Sequence, residues 1–466
     1  MKYYLAIDIG ASSGRHMLSW IEDGKMRLQE VYRFYNGMDQ VDGHLCWDVG
    51  RLFAEIVAGM KECKKIGKIP TSMGIDTWAV DYVLLDDKDQ VLGKTYGYRD
   101  GRTQGVDEDV YKIISEEELY SRTGIQKQSF NTIYQLMAVK KNNPEHLKAA
   151  KNFLMLPDYF HFLLTGQKCS EYTNATSTQL INAQTNDWDR ELIERLGYPQ
   201  EMFLPLSQPG TLVGSFTKEI EEEVGFSCEV VLPATHDTGS AVMAVPGEGD
   251  KNLYISSGTW SLMGIENKTA ICTEESRKRN FTNEGGYEYR YRYLKNIMGL
   301  WMIQSVRKEL SPDEGFGSIC EHAATETITS IVDANDDRFL APQNMTAEVQ
   351  AACRESGQKV PEGIYQVAAV IYNSLAKCYA DTVREIEKIE HVTYPCINIV
   401  GGGANAAYLN ELTAKATGKT VYAGPTEATA IGNIMAQMIA AGELQDLAEA
   451  RKCVFHSFEI KEEKGC

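Results

Sequence analysis

Apolar and polar positions along the chain outline its elements before any single residue claims a chemical role. The opening run Tyr3-Tyr4-Leu5-Ala6-Ile7-Asp8-Ile9-Gly10 is apolar apart from Asp8 and reads as a buried strand. Ala11-Ser12-Ser13-Gly14-Arg15 breaks it and an apolar stretch over 16–20 follows, so the pattern predicts a β-hairpin whose turn leans on the permissive backbone of Gly10 and Gly14. Residues 51–63 set Leu52, Phe53, Ile56, Met60 and Cys63 on one helical face, and a strand over 73–75 comes next. Over 74–86 the acids Asp76 and Asp81 and Trp78 stand between apolar strands, while 98–103 is a charged loop with Arg99 and Arg102 beside Asp100. A helix opens near Pro157, a polar loop covers 171–178, and a strand ends at Pro233 just before a small-residue helix near Thr238.

After a break at 246–250, strand, small polar turn and strand recur over 252–265, and the recurrence predicts a duplicated architecture with its boundary near 245–250. The second half adds an amphipathic helix over 364–389, a strand over 396–400, the turn Gly401-Gly402-Gly403, and a small-residue helix over 427–436 able to pack near that turn. The segment from Lys452 onward reads as peripheral.

Length and charge narrow the functions that these elements serve. At 466 residues the chain exceeds one ordinary hydrophobic core, so two domains are expected, 1–245 and 246–466. A formal net charge of −18 disfavours nucleic-acid or anionic-membrane partners, so an anionic ligand needs local donors and a metal ion. Strand-like residues begin at Tyr3 and no run approaches the length of a membrane span, so no leader and a cytoplasmic location are expected. The 11 cysteines lack paired metal-ligand spacing and suit a reducing compartment, as small core residues.

Five stretches carry candidate chemistry. In the first hairpin Ser12, Ser13 and Arg15 offer donors to phosphate oxygens, and Asp8 either serves a magnesium ion through its water shell or merely satisfies turn backbone. No Gly-x-x-x-x-Gly-Lys-Ser/Thr run is present, which argues against a P-loop. The acids and Trp78 of 74–86 suit a sugar, whose hydroxyls pair with carboxylates and whose C–H face lies on an aromatic ring, or else form a strand turn around a core tryptophan. At the strand-to-helix junction Asp237 is either a carboxylate held ready to accept a proton or an N-cap. Thr259 is the best-placed donor of the second hairpin, and three glycines at 401–403 let a nucleotide lie on backbone, as Rossmann turns also do.

The order of these parts, from Tyr3 to about Met438, resembles the FGGY carbohydrate kinases. That resemblance implies an α/β fold of two actin-like, ribonuclease-H-like domains around a central cleft, the first binding sugar and phosphate and the second nucleotide. The runs 235–242, 280–286, 294–304 and 336–342 are the discriminating ones, and they imply ATP-dependent phosphorylation of L-rhamnulose at its 1-hydroxyl. L-fuculose is the nearest rival acceptor, and a non-enzymatic actin-like ATP switch the rival of another class. Carried over residue by residue, Asp237 matches the catalytic base; Trp78, Ala79, Asp81, His236, Thr238 and Asn296 match sugar positions. Ala11, Ser12, Ser13, Gly14, Arg15, Thr259, Gln304 and Gly402 match nucleotide positions, with Mg2+ near Asp8. At Ala79 a methyl group stands where the family's run has glycine, which crowds the sugar but spares a backbone contact. The implied partners are a small-molecule sugar and ATP, with no nucleic acid and no membrane.

Overall fold

A computed structural model of the chain describes residues 1–247, 252–340 and 342–465. Residues 248–250 of the expected boundary and Ala341 of the 336–342 run lie outside the described residues. The chain forms two compact units: the first comprises Met1–Ala244, Asn267–Tyr293 and Thr429–Ser457, the second Val245–Glu266, Leu294–Ala428 and Phe458–Cys466.

The first unit is built on β1 (Tyr4–Ile9), β2 (Ser13–Glu22), β3 (Lys25–Tyr35), helix α1 (Val49–Lys65), β4 (Ser72–Thr77), α2 (Leu156–Thr165), β5 (Leu212–Ser215), β6 (Glu229–Val231) and α3 (Asp237–Met243). Its sheet runs in the order β5-β6-β4-β1-β2-β3; β1 and β2 pair antiparallel, whereas β1 with β4 and β4 with β6 pair parallel. Both faces of β1 are covered, as a near-continuous apolar run requires. Leu5, Ile7 and Ile9 pack with Leu52, Ile56 and Met60 of α1 and Phe160 of α2 in one core. A separate core gathers Tyr82, Ile133, Tyr134, Phe153, Trp188 and Phe203.

The hairpin forms as its pattern dictates, but for a different steric reason. Neither Gly10 nor Gly14 is left-handed; Gly14 is required because a Cβ there would lie 2.1 Å from the Phe34 ring. The polar stretch 171–178 is a second departure. It is a buried turn of helix, Tyr172–Thr176, in which Thr176, Ser177 and Thr178 donate their hydroxyls to the carbonyls of Thr173, Asn174 and Ala175. The helix Ala428–Ala440 packs within the first unit, with Gly432 against Ser240 of α3 and Asn433 donating to Asp76 at 2.6 Å. The chain after Lys452 is likewise integrated: Val454 is buried, and Ser457 accepts the Met26 amide.

The second unit repeats this plan with β7 (Leu253–Ser257), β8 (Trp260–Asn267), β9 (Tyr291–Met298, whose first three residues fall in the first unit), α4 (Gly363–Glu390), β10 (Cys396–Val400), α5 (Ala407–Thr417), β11 (Thr420–Ala423) and β12 (Lys461–Glu463). Here β9-β8-β7-β10-β11-β12 stand in the order of β3-β2-β1-β4-β6-β5. The senses correspond as well: β7 with β8 is antiparallel, β7 with β10 and β10 with β11 parallel, and β12 closes the edge antiparallel. Among the described residues no helix is long and apolar enough to cross a membrane. The described cysteines are free thiols, and Cys46, Cys63, Cys228, Cys320 and Cys353 are buried.

Candidate active site

In the first unit three carboxylates stand at the carboxyl ends of parallel strands, where open α/β sheets present ligands. Asp8 on β1 is the register partner of Asp76 on β4. Beyond β6 the chain continues this edge: the Thr77 amide donates to Thr235 O at 2.9 Å and Thr77 bridges His236, which brings Asp237 to the start of α3. Buried Glu171 anchors that approach by accepting the amide and hydroxyl of Thr235 at 3.1 and 2.7 Å and those of Thr173 at 2.8 and 2.6 Å.

Electrostatics sets the three acids apart. Burial, then the Asp8 charge, holds the fully enclosed Asp76 carboxyl well above the usual carboxylate range, and its Oδ1 has no protein partner. The same two causes push Asp237 up to about 7, although its side chain is still 32% exposed, so solvent tempers the shift. Asp8 accepts from Arg15 Nε at 3.0 Å. On Asp237, Oδ1 accepts the Thr238 amide at 2.5 Å and the Thr238 hydroxyl at 3.1 Å, which leaves Oδ2 outside those contacts as the oxygen able to take a proton.

The 74–86 stretch is organised by Asp81. Its carboxylate is buried and accepts from four protein donors: the Trp47 and Trp78 indoles at 2.7 and 2.9 Å, the Tyr98 amide at 3.0 Å and Gln135 Nε2 at 3.0 Å. Asp81 thus fixes the two indoles, whose ring centroids lie 4.0 Å apart, and its oxygens are already engaged by the protein. Ala79 is half-buried and precedes Val80, a β-branched residue held at φ 67° by Ser177, Thr132 and Gln135. Ser12 is exposed at the hairpin tip, Ala11 and Ser13 are half-buried, and Ser13 O accepts the Gly10 amide at 2.9 Å.

In the second unit the nucleotide candidates surround one hairpin end. The Trp301 amide donates to Thr259 O at 3.0 Å, which starts the helix Trp301–Leu310 that carries Gln304. The glycine turn crosses the same hairpin: Gly401 is left-handed at φ 85°, and a Cβ on Gly403 would lie 1.9 Å from Ser257 Oγ, so only glycine fits. Gly402 has open space where its Cβ would be. Asn296 lies on β9 in the same unit.

Residues 3–244 match the N-terminal domain of the FGGY family of carbohydrate kinases, and residues 253–441 match its C-terminal domain. The chain belongs to the FGGY carbohydrate kinases. Within them it is 52% identical to a rhamnulokinase of Halalkalibacterium halodurans over 99% of this chain and 98% of that one. It is 50% identical to a rhamnulokinase of Oceanobacillus iheyensis over 98% and 97%. Solved FGGY-like folds include a ligand-bound xylulose kinase from Lactobacillus acidophilus, with TM-score 0.80 at 16% identity over 100% of this chain and 94% of that one. Glycerol kinase of Plasmodium falciparum with ADP superposes with TM-score 0.78 at 14% identity over 100% and 95%. As an FGGY kinase the protein is a sugar phosphotransferase with ATP as co-substrate.

Some residues of this kinase's site have no counterpart among the sequence candidates. Glu171 falls in a stretch whose polarity suggests an exposed loop. Arg292 and Glu284 meet His236, yet Arg292 lies between the runs 280–286 and 294–304 and is singled out by neither. Gln135 and Asn433 reach Asp81 and Asp76 from distant helices, and no local pattern signals such contacts.

Proposed function

We propose that this FGGY kinase transfers the γ-phosphoryl group of ATP to the 1-hydroxyl of L-rhamnulose, releasing ADP and L-rhamnulose 1-phosphate. The near-full-length identity of 50–52% to proteins named rhamnulokinase carries the reading. The half 1–245 takes sugar and phosphate and the half 246–466 the nucleotide, in the cytoplasm where ATP is abundant.

Asp237 acts as the base. The 1-hydroxyl oxygen forms a bond to the γ-phosphorus, the bond from that phosphorus to the β–γ bridging oxygen breaks, and the hydroxyl proton passes to Asp237 Oδ2. Because the transition state for phosphoryl transfer is loose, alignment and charge neutralisation matter more than the proton transfer itself. Trp78 offers an apolar face held by Asp81; His236, Thr238 and the Ala79 backbone are the sugar positions of the first unit, and Asn296 is the further sugar position of the second. Ala11 to Arg15 are the nucleotide positions of the first unit, and Thr259, Gln304 and Gly402 those of the second.

The donor set near Asp8 suits magnesium, which takes one or two carboxylates plus substrate phosphates rather than a protein cage. The orphaned, buried Asp76 Oδ1 beside Asp8 is the observation that favours a cation there. Asp8, through water, and Asp76 would hold the ion, and when bound it would neutralise charge on the transferring phosphoryl oxygens.

ADP release measured over a panel of ketoses tests the assignment. L-rhamnulose should give the highest kcat/KM. A higher value for L-fuculose or L-xylulose would replace the acceptor, and ATP binding without sugar-dependent turnover would remove the kinase reading.

A further inference from the structure

Arg292 is fully buried, and a buried guanidinium is tolerated only where carboxylates and hydrogen-bond acceptors are gathered around it. Its Nε donates to Gly285 O at 3.0 Å and Nη2 lies 3.0 Å from His236 Nδ1, while Nη1 is ion-paired with Glu284 Oε2 at 3.0 Å without the geometry of a hydrogen bond. The strand Thr282–Gly285 that supplies Glu284 and Gly285 is itself pinned, because the Gly285 amide donates to Thr176 Oγ1 at 2.9 Å. The guanidinium therefore has little freedom to turn away from the imidazole.

A guanidinium carries donors only, so the nitrogen it faces must accept. His236 Nδ1 thus bears no hydrogen and the ring's single hydrogen sits on Nε2, which lies 3.5 Å from Asp237 Oδ1. Burial first, then the Arg292 charge, keeps this imidazole neutral. The competing tautomer has a ready partner, since Nδ1 is also 3.4 Å from Glu284 Oε2. With Arg292 in place that alternative sets two hydrogens against each other; without it, Nδ1–H can donate to Glu284 and Nε2 turns a lone pair toward the Asp237 carboxylate.

We propose that Arg292 is a positioning residue for phosphoryl transfer: it holds His236 in its Nε2–H form and so presents a hydrogen-bond donor rather than a lone pair on the side of Asp237, where the acceptor ketose is placed. The role rests on Asp237 as the base. The run 280–286 acquires a purpose by it, since Glu284 and Gly285 seat the guanidinium. Orienting residues that set a histidine's tautomer are worth roughly 10–100-fold or more in rate.

Histidine 15N–1H long-range correlation spectra of the full-length protein, with His236 assigned by its loss in His236→Gln, read the tautomer directly and need no turnover. The wild type should show Nε2–H. Arg292→Met should show Nδ1–H, with kcat/KM for L-rhamnulose down roughly 10–100-fold and KM for ATP within about twofold. Because that variant buries an unpaired Glu284, Arg292→Lys is the second test: an ammonium carries donors only, so it should keep Nε2–H and hold the ketose kcat/KM above that of Arg292→Met. A wild type bearing Nδ1–H, or a flipped tautomer with unchanged ketose kinetics, would overturn the role. Loss of the base assignment is separate: it would appear as turnover surviving in Asp237→Asn while the wild-type tautomer stayed Nε2–H.

Discussion

Asp237 combines an oxygen locked by Thr238 with one outside those contacts, and the two oxygens make distinct predictions. Asp237→Asn keeps the shape and the Thr238 contacts on its carbonyl side but cannot take a proton, so turnover should fall roughly 10²–10⁴-fold while calorimetry finds ketose affinity nearly unchanged. As the proposed base Asp237 works only when ionised, and its carboxyl is pushed up to about 7, so kcat/KM for the ketose should climb with pH and level off above that value. At pH about 6 it should stand roughly tenfold below the plateau. The stability consequence has a definite sign. The folded pKa lies above the ordinary 3.8, so between about pH 4 and about 7 the native chain holds a proton that the unfolded chain has released. The contribution of Asp237 to stability therefore falls as pH rises through that window. Asn carries no charge at any pH, so the Tm of Asp237→Asn should gain on wild type from pH 5 to pH 8 in thermal scans; a constant difference would show that burial does not raise this carboxyl. The residue could be singled out from sequence because a lone acid between an apolar strand and a small-residue helix stands out locally. Arg292 could not, since its partners His236 and Glu284 come from other parts of the chain.

Helices and turns show why some elements could be read from sequence and others not. The expected helix over 51–63 is Val49–Lys65 and that over 364–389 is Gly363–Glu390, because an apolar face repeating every three or four residues declares itself within a short window. The 171–178 stretch hides its burial because its hydroxyls are satisfied by its own carbonyls, which polarity alone does not reveal. Close approaches are equally silent. A Cβ on Gly432 would lie 1.7 Å from Ser240 O, where the helix Ala428–Ala440 crosses α3, the helix that begins at Asp237. Gly432→Ala should push α3 away, costing about 1–3 kcal/mol of stability in urea titrations and lowering kcat as the base is displaced. Stability loss with wild-type kcat would mean that α3 gives way elsewhere. The Asp81 turn makes a parallel case. Asp81→Asn replaces an acceptor oxygen with an amide facing indole and backbone donors, so about 2–4 kcal/mol should be lost and tryptophan emission should shift as Trp47 and Trp78 come loose.

At the scale of the molecule, the repeat of strand, glycine turn and strand signals the duplicated sheet order, since both halves carry the same local signature. The assignment of 267–293 and 429–457 to the first compact unit has no such signature, because chain order is silent about which core a late segment joins. Net charge is the other whole-molecule property that the sequence does supply, and it opposes half of the reaction. A charge of −18 repels an anionic nucleotide but is indifferent to a neutral ketose. The opposing field reaches across roughly 30 Å at 0.01 M salt and roughly 8 Å at 0.15 M, so physiological salt should hide most of it from an approaching nucleotide while leaving short-range donors such as Arg15 and the hairpin amides nearly untouched. With free magnesium held constant, kcat/KM for ATP should therefore rise about two- to tenfold between those salt concentrations, and kcat/KM for the ketose should stay within about twofold. Stopped-flow nucleotide binding would separate the causes, because screening of a global field acts on the association rate. A fall in kcat/KM for ATP over the same range would mean instead that the local cation beside Asp8 steers the nucleotide and outweighs the net charge of the chain.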